Sequence, residues 1–110
     1  MNFSNYISNI LILLSLILFS LSLKAQDGVE QELKQGKRLF ASSCAFCHAS
    51  LGKREGRGGP KLAGIEKNHD EVMNIISNGK SGKGMPSFKA SLSEEKIRLL
   101  AKYIKSLPSN

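Results

Sequence analysis

Residues 44–48 read Cys-Ala-Phe-Cys-His, and these two cysteines are the only ones in the chain. Two thiols one helical turn apart cannot staple a fold by pairing with each other, because the loop that such a disulfide closes is tiny and adds little stability. The part of the chain that reads as mature domain, residues 26–110, is small for a sequence that must bury its own core, and it contains no Trp. Domains of this size usually gain a staple from disulfides, a metal or a cofactor. A cofactor is the better expectation here, so the use of the 44–48 motif constrains everything else.

The first 25 residues stand apart. From Ile7 to Leu23 the chain reads ISNILILLSLILFSLSL without a charge, and Lys24-Ala25-Gln26 follows before the polar stretch DGVEQELKQGKR. An apolar run of this length ending at a small residue predicts a secretory signal peptide, residues 1–25, cut near Ala25. The alternative is an uncleaved membrane anchor, since the run is near the lower limit for a spanning helix. Both readings place residues 26–110 outside the cytoplasm, either periplasmic or tethered to the outer side of the membrane. Sixteen Lys and Arg against nine Asp and Glu give a net charge of +7, which suits an acidic protein partner or an anionic surface. An exported chain without a recognisable binding motif gives no reason to expect nucleic acid as a partner.

Three helical stretches and two Gly-rich segments make up the rest. In EQELKQGKRLFASSC, Leu33, Gly36 and Phe40 recur at helical spacing with Leu39 alongside, and Gly36 would let another backbone approach closely. HDEVMNIIS predicts a short helix with Asp70 and Glu71 in its first turn and Asn78-Gly79 as its stop. The last helix carries the fullest set of signals. Ser93 suits the N-cap, Glu94 and Glu95 sit at the positive end, and Leu92 can staple onto Ile97. Ile97, Leu100, Ala101 and Ile104 form its apolar face, with Tyr103 and Leu107 beside them, and Pro108 ends the run. No segment alternates with period two, so the expected fold class is all-α. A loop of about twenty residues between the first two helices needs a reason in so small a domain, such as something to wrap around. The second Gly-rich segment, NGKSGKGMPSFKAS, carries Met85 off any helical stripe, either as a core gap-filler or as a ligand.

Three chemistries compete for Cys44, Cys47 and His48. A thiol oxidoreductase would place its Cys-x-x-Cys after a strand and at a helix N-terminus, whereas here no strand is expected and the pair falls at a helix end. A structural zinc site needs four ligands, usually in two pairs, and the only other His is His69, in the polar context EKNHDE. Haem attachment accounts for the whole pattern. Cys44 and Cys47 can reach the two vinyl groups of a porphyrin as thioethers, and His48 directly after them can present its imidazole to the iron. Export and a wrapping loop both agree with that reading.

With these residues in view, the chain resembles a class I c-type cytochrome of the small monohaem bacterial kind, over residues 30–107. The matching pieces are GKRLFASSCAFCH, GGPKLAG, GMPSF and LSEEKIRLLAKYIKSL. The resemblance implies an all-α cytochrome c fold of three to four short helices wrapped around one covalently attached haem c. It implies that Gly36 and Phe40 pack across the last helix near Tyr103 and Leu100. It implies that the Pro60 carbonyl accepts the His48 ring N–H, and that Met85 is the distal axial ligand opposite His48. The function implied is one-electron transfer between redox partners outside the cytoplasmic membrane, not enzymatic turnover. Two alternatives stay open: a subunit that passes electrons into one dehydrogenase or oxidase, or a haem peroxidase or gas-binding protein in which Met85 leaves the iron. The basic residues Lys53, Arg54, Arg57 and Lys61 on the first loop, and Lys80, Lys83 and Lys89 around Met85, are expected to steer an acidic partner or to keep the protein soluble.

Overall fold

The computed structural model describes residues 2–49 and 58–109. Lys53, Arg54 and Arg57, with the rest of the KREGR run, therefore lie outside the described residues. Among the described residues four helices follow one another: α1 (Phe3–Ser43), α2 (Ala45–His48), α3 (His69–Asn78) and α4 (Glu94–Ser106). The only extended pairing among the described residues is an isolated antiparallel bridge between Lys80 and Met85, so the all-α expectation holds.

The chain divides into two units, residues 1–31 and 32–110. In the first unit α1 exposes its large apolar side chains from Phe3 to Val29. Among the described residues α1 is the one helix long and apolar enough to cross a membrane. With 41 residues, α1 runs through the N-terminal apolar segment into the first helix of the second unit. Its length follows from a run of Leu, Ile and Ser without Pro, joined to a Glu-, Gln- and Lys-rich stretch of good helix formers.

The second unit is built on two helix contacts. Near its C-terminal end α1 crosses α4 at Gly36. A Cβ placed there would lie 2.4 Å from the Leu99 carbonyl oxygen and 2.7 Å from the Tyr103 Cβ, so only the absence of a side chain permits the approach. One turn on, Phe40 meets Tyr103 with ring centroids 5.6 Å apart and planes tilted by 56°, a favourable aromatic geometry. The crossing is also clamped by charge: Arg98 donates to Glu32 at 2.8 Å and to Glu95 at 2.7 Å, and Lys102 pairs with Glu32 as well. The Lys102 and Arg98 hydrogen bonds hold the Glu32 carboxyl down to about 2.

Helix α3 packs on α4 through Val72 and Ile76, joining Ile97, Leu100, Ala101, Ile104 and Phe40 in one apolar cluster. Its start is fixed by a capping box: Asn68 Oδ1 accepts the Glu71 N–H at 2.9 Å, and Glu71 Oε2 accepts the Asn68 N–H at 2.8 Å. Such reciprocal caps satisfy donors that a helix start otherwise leaves unpaired. For α4, Ser93 caps the N-terminus through the Lys96 N–H, as its sequence predicts, and Leu92 packs on the cluster that contains Ile97. The loop before α3 is tied down by Lys105, whose Nζ donates to the carbonyls of Ile65 and Lys67 at 2.9 and 2.8 Å.

Candidate functional site

Cys44 ends α1 and begins the site. Its N–H still donates to the Phe40 carbonyl at 2.9 Å, but its backbone leaves the helix at φ −124°, ψ −33°. Its own carbonyl then accepts from both Cys47 and His48, at 3.1 and 2.9 Å, closing the single turn of α2. A helix end at this pair is what the sequence predicts; the fresh turn that follows the break, only four residues long, carries no signal in the apolar periodicity. Its consequence is to turn the two thiols to different surroundings. Cys44 is buried in the apolar cluster, while Cys47 is exposed. Burial, with the neighbouring Cys47 in second place, pushes the Cys44 thiol up to about 11. Phe46, between them, is 72% exposed.

His48 is the one buried polar side chain among the described residues, and its ring is fixed from two sides. Nδ1 lies 2.9 Å from the Pro60 carbonyl oxygen; a carbonyl can only accept, so Nδ1 carries the proton and Nε2 keeps the lone pair. Gly59 lies against the same ring. A Cβ there would sit 2.7 Å from Nδ1, 2.9 Å from Cε1 and 2.6 Å from the Cys47 carbonyl oxygen, and the Gly59 N–H donates to that same carbonyl at 3.1 Å. Directly after His48 the chain turns through Ala49 at φ +61°, a left-handed conformation that a non-glycine residue seldom adopts. Pro60, which the resemblance pairs with His48, is the residue whose carbonyl meets this ring. Gly59 is a site residue that sequence reading missed, although the Gly-Gly-Pro triplet was its visible trace.

Met85 comes from the other Gly-rich segment and is partly buried against the same cluster as Cys44. The segment is anchored to the end of α3. Lys80 N–H donates to the Met85 carbonyl at 3.0 Å, Phe88 N–H to Ile76 at 3.1 Å and Lys89 N–H to Ser77 at 3.2 Å, while Ser87 Oγ donates to the Ser77 carbonyl at 2.6 Å. The structure therefore packs a core-facing thiol and a thioether against one apolar cluster, with a second thiol at the surface, while the buried imidazole of His48 is held by Gly59 and Pro60. His69 is elsewhere, in the first turn of α3, with Nδ1 3.5 Å from Asp70.

This donor set fits a haem better than a bare metal ion. Among the described residues no cluster of three or more His, Cys, Asp or Glu side chains is placed to hold an ion. One imidazole and one thioether suit a metal whose other ligands come with a macrocycle. Two thiols, one buried and one exposed, suit a large flat group reaching from the core to the surface.

Comparison with known proteins agrees. Residues 31–104 match the family described as cytochrome c oxidase, cbb3-type, subunit III. The chain is 38% identical over 79 residues to cytochrome c6 of Leptolyngbya boryana, a match covering 63% of this chain and 85% of that protein. It is 32% identical over 81 residues to the cbb3-type cytochrome c oxidase subunit CcoP of Rubrivivax gelatinosus, covering 70% of this chain but only 26% of that subunit. The chain thus spans about a quarter of one relative and most of the other, and what the two share is a c-type cytochrome domain. From the Cys-x-x-Cys-His turn to the last helix, this chain belongs to that family of c-type cytochromes.

Proposed function

We propose that the chain is a one-electron carrier holding a single haem c, with Cys44 and Cys47 as its thioether anchors and His48 and Met85 as the axial ligands of the iron. When bound, the haem supplies the ferrous–ferric couple; the rest is the work of the polypeptide. The observation that carries the reading is the fixed imidazole of His48. Its Nδ1 proton is committed to Pro60 at 2.9 Å, which selects the tautomer, orients Nε2 and raises its basicity as a ligand. Met85 adds a soft, weak donor that favours ferrous iron and so raises the potential. His48 and Met85 together would leave a bound haem no vacancy for a substrate, which favours electron transfer over turnover. Exposed Cys47 supports electron passage at the edge of the group that it holds.

The exposed lysines around Met85, Lys80, Lys83 and Lys89, and the net charge of +7 support an acidic redox protein as partner. The Ile7–Leu23 segment serves for export, either removed near Ala25 or kept as an anchor on the outer side of the cytoplasmic membrane. N-terminal sequencing of the mature protein separates these two outcomes. The match to an oxidase subunit favours a second reading, in which the domain hands electrons to one membrane oxidase; co-migration of its haem with an oxidase on native gels would establish it.

Replacing Cys44 and Cys47 with Ser tests the assignment of the anchors. Protein made with a working haem-maturation system should stain for covalent haem on a denaturing gel, and the double variant should not. Unstained wild-type protein would overturn the reading.

A further inference from the structure

We propose that Gly79 is a positioning residue for Met85: its missing side chain is the seat on which the Met85–Pro86 backbone lies, and it thereby sets how firmly the thioether closes the sixth position of the iron. The inference rests on Met85 being that ligand, and the experiment below separates the two claims.

Gly79 caps α3 at φ +71°, and its N–H donates to the Ile75 carbonyl at 2.8 Å. A Cβ built there would lie 2.5 Å from the Met85 carbonyl oxygen, 2.7 Å from the Pro86 carbonyl carbon and 2.8 Å from the Pro86 oxygen. All three are backbone atoms, so no side chain can swing aside to make room. Relief requires the 79–80 and 85–86 backbones to part, which opens the Lys80 N–H bond to the Met85 carbonyl. On the far side of Met85, Ser87, Phe88 and Lys89 all donate to the Ile76 and Ser77 carbonyls, acceptors that a helix end leaves without intrahelical partners. The Met85–Pro86 pair is therefore tied before and after to the same helix end, with Gly79 beneath it.

The intervening turn provides a contrast. Gly82 and Gly84 also take φ +73°, yet a Cβ at either would meet nothing within 4 Å. All three glycines satisfy a left-handed backbone; only Gly79 must also leave space. Because a thioether binds iron weakly, a loop that holds it less firmly lowers the closed fraction, and the apparent affinity of a competing ligand rises in proportion.

The test uses the haem-loaded full chain. Ferric protein is titrated with imidazole by visible absorption, and the Met–iron charge-transfer band is recorded. Gly79→Ala should bind imidazole about tenfold more tightly than wild type, within the range that overpacking a closed contact produces, and the band should weaken. Gly82→Ala, which carries the same backbone strain without the contact, should match wild type. Equal behaviour of Gly79→Ala and Gly82→Ala overturns the inference. If Gly79→Ala does not retain its fold by circular dichroism, Ser87→Ala decides: it removes only the Ser87 Oγ bond to the Ser77 carbonyl, and a rise in imidazole affinity supports the inference while wild-type affinity overturns it. Met85→Ala tests the assignment beneath. Should wild type bind imidazole as readily as Met85→Ala, Met85 is not the ligand, and the proposed axial pair fails with the inference built on it.

Discussion

Replacing Gly36 with Ala sets two effects of opposite sign against each other. In a helix interior alanine is favoured over glycine by about 0.5–1 kcal/mol, so a free surface position would gain stability. At Gly36 the new Cβ would lie 2.4 Å from the Leu99 carbonyl oxygen and 2.7 Å from the Tyr103 Cβ. Both atoms are rigid, and restoring ordinary contact distances requires the two helices to separate by about 1 Å. Overpacking of that kind costs about 1–3 kcal/mol. The displacement also loosens the Phe40–Tyr103 pair one turn away, an interaction worth about 0.5–1.5 kcal/mol beyond its burial. The packing losses win, for a net destabilisation of about 1–3 kcal/mol. For a domain of this size each kcal/mol lowers the melting temperature by about 4–8 °C. Denaturant unfolding of the haem-loaded chain, followed by far-ultraviolet circular dichroism, measures the change. Gly28→Ala is the internal control, since Gly28 lies on the same helix with nothing within 4 Å of its would-be Cβ, and its midpoint should hold or rise. A Gly36→Ala midpoint at or above wild type would refute the reasoning, because helix propensity would then have outweighed the close crossing.

Three further outcomes are expected. Glu32, held at about 2 against an ordinary 4.5 by Lys102 and Arg98, contributes its stability in full above pH 4.5 and loses it as pH falls toward 2; the stability gap between wild type and Glu32→Gln should close over that window in acid titrations monitored by circular dichroism, and a gap unchanged at pH 2 would contradict the pairing. Gly59→Ala should force the His48 ring off Pro60, leaving a less basic ligand and a higher potential, so an unchanged midpoint in a redox titration would reduce Gly59 to a loop residue. Charge reversal at Lys80 and Lys83 should slow stopped-flow electron exchange with the native partner more than reversal at the exposed Lys96 of α4, and salt should slow the wild type; a flat salt dependence would assign the lysines to solubility. Lys102 and Lys105 are unsuitable as controls, because they hold Glu32 and the Ile65 and Lys67 carbonyls.

The helices of the second unit were legible in the sequence because each is announced locally, and the motif that names the candidate donors is local too. Ser93 before Glu94-Glu95, the Ile97–Ile104 stripe and the Cys-x-x-Cys-His turn all place their meaning within a few residues. The Asn68-x-x-Glu71 capping box is equally local, set within a polar stretch. The Glu32 clamp had no such signal, since its partners Arg98 and Lys102 stand 66 and 70 positions away. The turn of α2 was hidden for another reason: four residues are too few to show a helical period.

The glycines show where local reading ends. Gly28 and Gly36 lie on one helix, and Gly79, Gly82 and Gly84 lie within one short segment; the letters are the same and the physical demands are not. Gly36, Gly59 and Gly79 each face backbone or ring atoms within 3 Å of a would-be Cβ, while Gly28, Gly82 and Gly84 face open space. What distinguishes them lies across the fold: the Leu99 carbonyl for Gly36, the His48 ring for Gly59 and the Met85–Pro86 backbone for Gly79. These three glycines sit at the crossing of α1 and α4, against the imidazole and beneath the Met85–Pro86 backbone. The donors in such a site can be named from their chemistry, but how closely each is held depends on spaces that only the folded chain defines.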